Sequence, residues 1–229
     1  MKNKAIILFS GGLDSTTTLY YAIKKGYKCF CLIFDYNQKH RKEILSARKI
    51  AEINKCEYKI IKFDLPWTKN FCSLIDKKLN IKQNGKINKN KIPNTYVPAR
   101  NTIFLSFAIS WADVIGADNI FIGANAVDFS GYPDCRPQYF KYIQKVAQTG
   151  TKNCLKNRLK IITPLINLKK SEIIKLGIKL GVPFEYTWSC YAGKEKPCNK
   201  CDSCILRKKA FEEVGIKDPL LSVSDMSSK

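Results

Sequence analysis

The stretch Ser10-Gly11-Gly12-Leu13-Asp14-Ser15-Thr16 decides how the rest of the chain is read. It follows a short apolar run, Lys4 to Phe9, with the length and composition of a buried parallel strand. It precedes Thr16 to Lys25, where Leu19, Ala22 and Ile23 share one helical face and Gly26 supplies a stop. A glycine-rich turn between a strand and a helix leaves backbone N–H groups and the positive helix end facing outward, which makes an anion site. The glycines let backbone approach a phosphate closely, and Ser10, Ser15 and Thr16 add hydroxyl donors. The loop is not a Walker A sequence, because no Lys follows the glycines in frame, nor a dinucleotide fingerprint, because the third glycine is missing. The plainer alternative is an ordinary helix start with Asp14 or Ser15 as its N-cap.

Outward from this loop the pattern repeats. Tyr27 to Phe34 reads as a second strand. Arg41 to Asn54 reads as a helix with Ile44, Leu45, Ala47, Ile50 and Ala51 on its apolar face, and Glu57 to Phe63 as a third strand. Strand–helix alternation of this kind predicts a parallel sheet covered by helices on both faces. Polar, Lys- and Asn-rich residues from about Asn80 to Asn94 read as a loop and candidate lid. Further helices are expected over Thr102 to Ile115, Tyr139 to Gly150 and Lys170 to Leu180, and further strands over Asn119 to Gly123 and Lys160 to Thr163. The expectation is a doubly wound α/β fold with a five-stranded parallel sheet over residues 1–182. From about Pro183 the composition shifts to Cys, Pro and Lys in short turns, which predicts a small C-terminal zinc-binding subdomain over 183–229. No internal repeat is visible.

Composition narrows the function classes. No run of apolar residues is long enough for a membrane span, and Met1 to Phe9 lacks a signal-peptide core and cleavage site, so a soluble cytoplasmic protein with no membrane partner is expected. The formal charge of +21 has two readings, a polyanion partner or compositional bias. Only six of the 40 basic residues are Arg (41, 48, 100, 136, 158 and 207), and the Lys are scattered among Asn and Ile. Arg is the better residue for bidentate phosphate and base recognition, so the composition leans towards bias.

Four of the ten cysteines, Cys190, Cys198, Cys201 and Cys204, crowd near the end of the chain. In an intracellular chain such crowding points to a metal before a disulfide. Four thiolates close a tetrahedral Zn²⁺ shell with no open position for chemistry. An iron–sulfur cluster is the alternative, but its usual run needs a fourth Cys just downstream, and here the fourth lies upstream.

Three middle segments carry chemistry. Phe34-Asp35-Tyr36-Asn37-Gln38-Lys39-His40 ends the second strand, where open parallel sheets bind ligands. His40, the chain's one His, reads equally as an acid–base group and as a packing residue. Tyr96 to Thr102 contains Arg100, which can clamp a phosphate or carboxylate through two parallel bonds. Gly123 to Pro137 mixes Asn125, Asp128, Asp134 and Arg136 with aromatics in a loop at a strand end, which favours a site over a solvated turn.

Ser-Gly-Gly-x-Asp-Ser after the first strand resembles the pyrophosphatase loop of asparagine synthetases, GMP synthetases and tRNA-modifying enzymes. Together with the three middle segments, Thr163-Pro164-Leu165 before Lys170, and Thr187-Trp188-Ser189-Cys190-Tyr191, the likeness narrows to the 7-cyano-7-deazaguanine synthase family, from Ala5 to about Phe211. Asn37 and Gln138 depart from that family's usual Gly and acidic residue; Asn still tolerates a left-handed backbone.

The resemblance implies an adenine nucleotide alpha hydrolase-like fold, a homodimer, and cleavage of ATP to AMP and pyrophosphate with Mg²⁺ near Asp14. It implies ATP binding by Phe9, Ser10, Gly11, Gly12, Leu13, Asp14, Ser15, Thr16, Thr17, Thr18 and Leu19, and a Lys at the reacting phosphorus, for which Lys170 is the candidate. The implied substrates are 7-carboxy-7-deazaguanine and ammonium, with Arg100, Asp134 and Arg136 as candidate substrate contacts and no obligatory nucleic acid. Two rivals stand beside it: a tRNA-modifying enzyme of the same fold, favoured by the charge, and a non-enzymatic zinc module, which leaves the loop at Ser10 unexplained.

Overall fold

The computed structural model describes residues 3–81, 92–126, 131–152 and 159–221. Its elements run β1 (Lys4–Leu8), α1 (Leu13–Lys24), β2 (Lys28–Asp35), α2 (Lys42–Ile53), β3 (Glu57–Lys62), α3 (Arg100–Ile115), β4 (Asn119–Phe121), α4 (Pro137–Thr149), β5 (Lys160–Ile162), α5 (Lys170–Leu180) and α6 (Asp202–Val214). The five strands pair in parallel in the order β3-β2-β1-β4-β5. Strand order therefore reverses between β1 and β4, the point at which a doubly wound sheet opens a crevice beyond its carboxyl edge.

Strand periodicity sorts the core onto two faces. Ile6, Leu8, Phe30, Leu32 and Phe34 pack with Leu105, Ala108 and Ala112 of α3 and Phe140 and Ala147 of α4. Ala5, Ile7, Cys29, Cys31 and Ile33 pack with Leu19 and Ala22 of α1 and Ile44, Ala47, Ile50 and Ala51 of α2. Leu45, expected on the apolar face of α2, is 60% exposed, because the buried stripe runs through Ile44, Ala47 and Ile50 and Leu45 lies a hundred degrees off it.

Two further differences matter for the site. The first helix begins at Leu13, not Thr16, so Asp14 and Ser15 sit in its first turn. The cysteine-rich segment also contains a 13-residue helix, α6, where short turns were expected. Its buried residues Cys204, Arg207, Ala210 and Phe211 recur at helical spacing, a pattern hidden in the sequence by the cysteine spacing. Ala210 and Phe211 join Leu13 of α1 and Ile173 and Ile174 of α5 in a third apolar cluster, which seats this segment against the sheet domain. The expected lid falls largely on residues 82–91, outside the described residues.

One glycine fixes the loop after β1. Gly11 has φ of 74°, and a Cβ there would collide with the backbone N of Ala47 and lie 2.6 Å from the carbonyl O of Glu43. The loop thus rests directly on the backbone of α2. Gly11→Ala adds both a left-handed backbone penalty and an immovable clash, so it is expected to lose about 2 kcal/mol or more of unfolding free energy. Urea denaturation reads this, and an unchanged midpoint and slope would contradict the contact.

Candidate active site

The crevice at the reversal point holds a cavity of about 260 Å³. Its first wall is the loop after β1. Gly12 is the N-cap of α1 and no side chain caps that helix, so its leading N–H groups are available to an anion. Ser15 Oγ donates to the Gly12 carbonyl (3.2 Å) and lies 3.1 Å from Ser10 Oγ, while the Gly12 N–H donates to Ser10 Oγ (3.3 Å). These bonds hold the loop open. The Trp188 N–H donates to the Gly11 carbonyl (2.9 Å), tying the loop to the cysteine-rich segment.

Asp14 is where three elements meet. Lys170, the first residue of α5, donates to Asp14 Oδ2 at 2.6 Å, and Asn125 from the loop after β4 donates to the same oxygen at 3.3 Å. Gly123 allows this approach: a Cβ there would press to 3.1 Å on the Asp14 carbonyl and the Ser15 N. Asp14 Oδ1 is buried and finds no hydrogen-bond partner among the described residues. A carboxylate oxygen left open beside an uncapped helix start suits Mg²⁺, which commonly takes one or two carboxylates and completes its shell with phosphate and water.

The second wall is aromatic and cationic. Phe34 and Phe104 stack with centroids 3.9 Å apart and planes 3° apart, and Tyr36, Tyr132, Tyr191 and Arg100 line the same cavity. Arg100 begins α3 after Ala99, whose φ of 53° is a left-handed conformation unusual for a residue with a Cβ. Burial works against the Arg100 charge, but Tyr36, Tyr132, Cys135 and Asp134 outweigh it and hold the guanidinium firmly protonated. The Tyr36 phenol is pushed up to about 12, first by burial, with Arg100 opposing.

The structure brings Phe9, Ser10, Gly12, Leu13, Asp14, Ser15, Arg100 and Lys170 to this one cavity. Gly11, Thr16, Thr17, Thr18 and Leu19 do not line it; the three threonines are fully buried beneath the loop and Leu19 packs in the core. Asp134 is buried and accepts the Asn101 N–H (3.0 Å), anchoring the start of α3. Arg136 is exposed at the N-cap of α4, away from the cavity lining. Residues not singled out beforehand include Glu43, Phe104 and Arg207. Arg207 is buried, grips Asp218 with Nε (2.6 Å) and Nη2 (2.8 Å), and donates to Thr187 Oγ1 (2.7 Å) and the Phe184 carbonyl (3.0 Å). Its helical spacing from Cys204 and Phe211 was the available sign. Asn37, where the backbone was expected to remain left-handed, has φ of 61°.

The four clustered cysteines present sulfur atoms within 4.8 Å of one another. Two thiolates on a single ion at about 2.3 Å each sit about 3.8 Å apart in tetrahedral geometry and at most about 4.6 Å, so the set needs little adjustment to close on one ion. The N–H groups of Ala192 and Cys198 point to Cys190 Sγ (3.4 and 3.3 Å), and the Cys201 N–H to Cys198 Sγ (3.3 Å). Hydrogen bonds from Cys201 and Cys204 pull the Cys190 thiol well below the usual range, and Cys204 is pushed up in return. A metal cation favours the deprotonated form of thiol ligands, so it would relieve the opposition between Cys190 and Cys204.

A crevice of this kind between β1 and β4 marks the adenine nucleotide alpha hydrolase-like fold. An NMN synthetase from Francisella tularensis superposes with a TM-score of 0.52 at 18% identity, over 94% of this chain and 78% of its own. A structure from Methanocaldococcus jannaschii described as a predicted subunit of tRNA methyltransferase gives 0.51 at 17% identity, over 95% and 91%. At such identities these show the fold alone.

The sequence carries the relationship further: the chain belongs to the family of the queuosine biosynthesis protein QueC, whose model matches residues 4–215. Among its relatives, the 7-cyano-7-deazaguanine synthase of Trichodesmium erythraeum is 50% identical over 223 residues, covering 95% of this chain and 100% of the relative. The synthase of Thermoplasma volcanium is 48% identical over 220 residues, covering 96% and 91%.

The cysteine geometry carries a prediction. The native protein is expected to hold one tightly bound metal ion per chain. Cys201→Ser is expected to bind less than ~0.1 ion per chain and to lose thermal stability, because a structural ion contributes folding free energy directly. Elemental mass spectrometry reads the first and calorimetry the second; full metal retention by Cys201→Ser would contradict the four-thiolate shell.

Proposed function

We propose that this chain converts 7-carboxy-7-deazaguanine and ammonia into 7-cyano-7-deazaguanine with cleavage of ATP to AMP and pyrophosphate, as an ATP-dependent carbon–nitrogen ligase of queuosine biosynthesis. The observation that carries the reading is one cavity with two kinds of wall: an open phosphate loop with the Asp14–Lys170 pair, and an aromatic wall with Arg100. The names of the relatives supply the substrate.

A carboxylate does not react with ammonia, because its oxygen is a poor leaving group. Its attack on the α-phosphorus of ATP breaks the bond to pyrophosphate and turns that oxygen into part of AMP. Ammonia then adds to the activated carbon, AMP departs, and a primary amide remains. A second ATP activates the amide oxygen, and loss of AMP and of both protons on the nitrogen leaves the nitrile. One cavity serves both rounds because each activates an oxygen on the same carbon. Lys170 Nζ and the N–H groups at the start of α1 would meet negative charge gathering at the phosphates, a role supported by the Asp14–Lys170 pair and the absence of a side-chain cap. Mg²⁺, held by Asp14, would offset charge on the departing pyrophosphate. Arg100 would orient the substrate carboxylate, and Phe34, Tyr36 and Phe104 its planar ring. The cysteine shell would hold Zn²⁺ in a structural role, since four thiolates leave no open position.

The reading places a homodimer in the cytoplasm, where the free cysteines among the described residues stay reduced. Catalysis needs no tRNA and no membrane.

Two outcomes are expected. Incubation with ATP, ammonium and the carboxylate yields the nitrile by mass spectrometry at a rate unchanged by tRNA at physiological salt; an absolute tRNA requirement would overturn the reading. Asp14→Asn lowers turnover at least ~100-fold with folding intact, because it removes the metal-directed charge. Near-native AMP release from folded Asp14→Asn would remove that role.

A further inference from the structure

His40 lines the same cavity and is 4% exposed. Its Nε2 lies 3.2 Å from Glu43 Oε1. That oxygen also accepts Gln38 Nε2 (2.9 Å). Gln38, itself buried, donates to the Phe34 carbonyl (3.0 Å) and accepts the Tyr36 N–H (2.8 Å), so its orientation is set by the end of β2. The Glu43 carboxylate is an acceptor, so in the neutral imidazole it selects the tautomer with the proton on Nε2 and the lone pair on Nδ1. Nδ1 is buried and finds no hydrogen-bond partner among the described residues.

Backbone contacts lock this placement. The Lys39 N–H donates to the Leu74 carbonyl (2.8 Å), Gly193 is pressed against the Lys39 carbonyl, and the Tyr191 ring stands edge-on to the imidazole at 5.6 Å. A protein that leaves a buried ring nitrogen unpaired gives up stability, and such a group warrants a functional explanation.

The other titratable groups lining the cavity are committed elsewhere. Asp14 is paired with Lys170, Glu43 is occupied by two donors, and Cys135 Sγ accepts Asn101 Nδ2 (3.2 Å). Tyr36 is held protonated by burial, the Tyr132 hydroxyl pairs with Thr95 Oγ1 (2.9 Å), the Tyr191 ring packs against His40 itself, and Arg100, Lys170 and Arg207 carry no acceptor for a proton.

We propose that His40 is the general base of the amide-forming step, with Glu43 as its positioning residue. The assignment rests on the function proposed above. As ammonia forms the C–N bond to the activated carboxyl carbon, its nitrogen becomes positive. Nδ1 takes one proton from that nitrogen, the C–O bond to AMP breaks, AMP leaves with the electron pair, and the imidazolium returns its proton to solvent. Activation of the carboxylate by ATP transfers no proton and does not need His40.

The test separates the two half-steps. Pyrophosphate release with carboxylate and ATP, before ammonium is added, reports activation; amide formation on adding ammonium reports the second half. His40→Gln is expected to keep activation within ~3-fold and to slow amide formation at least ~100-fold, the usual scale of general-base catalysis. Hydroxylamine, a neutral and stronger nucleophile at pH 7, should restore at least ~10-fold of that loss. Glu43→Gln, which retains an acceptor for Nε2, should show the same split more weakly, and carries the test alone where His40→Gln does not fold. Near-native amide formation by His40→Gln, or equal loss of both half-steps, overturns the assignment and leaves the parent reading standing. Failure of the native enzyme to release pyrophosphate with this carboxylate sinks the parent reading and the assignment together.

Discussion

Two missing side chains set the geometry of this protein. Gly11 lets the loop after β1 rest on the backbone of α2 at Ala47 and Glu43, and Gly123 lets the loop after β4 press against Asp14 and Ser15. The start of α1 is thereby squeezed between two neighbours at main-chain distance. No flexible side chain intervenes, so its position cannot relax by a rotamer change. The polar groups of the cavity take their bearing from that squeeze. It brings Asn125 to Asp14, holds Asp14 within 2.6 Å of Lys170, and places Glu43, whose carbonyl touches Gly11, beside the same cavity.

The charges at this point are arranged for a visitor. Lys170 and Asp14 are each only partly exposed and satisfy one another through a single carboxylate oxygen. The other oxygen of Asp14 is left over, as are the leading N–H groups of α1. A structure optimised for stability alone would cap that helix and pair that oxygen, since each unpaired buried group costs about 1–3 kcal/mol. The stabilising work is done nearby instead. Arg207 satisfies five acceptor groups with its guanidinium and joins α6 to the segment 184–189, and the same segment donates the Trp188 N–H to Gly11. The cysteine cluster at the N-terminus of α6 thus braces the loop after β1 through the short stretch from Trp188 to Cys190.

Much of this was legible in the sequence because it is local. A strand–glycine–glycine–helix passage is written in consecutive residues, as are the alternation of Ile6 and Leu8 with Ala5 and Ile7 and the C-x-x-C-x-x-C run. What was not legible is long-range. Asp134 looked like a ligand contact from its polar neighbours, yet its carboxylate anchors the start of α3, a partner 33 residues away. Arg136, only two residues on, faces outward because α4 begins at Pro137 and turns it from the cavity. The role of Arg207 was hidden because its partners come from two separate stretches, 184–189 and Asp218, and α6 because its apolar stripe is interrupted by cysteines and that one buried cation. The carboxylate partner of His40 lies only three residues away, but a spacing of three acquires meaning only once the turn at 40–43 is known.

The central claim is that a substrate oxygen is activated by transfer to AMP in a cavity shared by the phosphate loop and Arg100. The most direct measurement follows that oxygen. 7-Carboxy-7-deazaguanine labelled with ¹⁸O in its carboxylate is converted in unlabelled water, and the nucleotide product is weighed by mass spectrometry. The account predicts one labelled oxygen in every AMP released, and none in pyrophosphate. Label retained in water or inorganic phosphate, with AMP unlabelled, would contradict it.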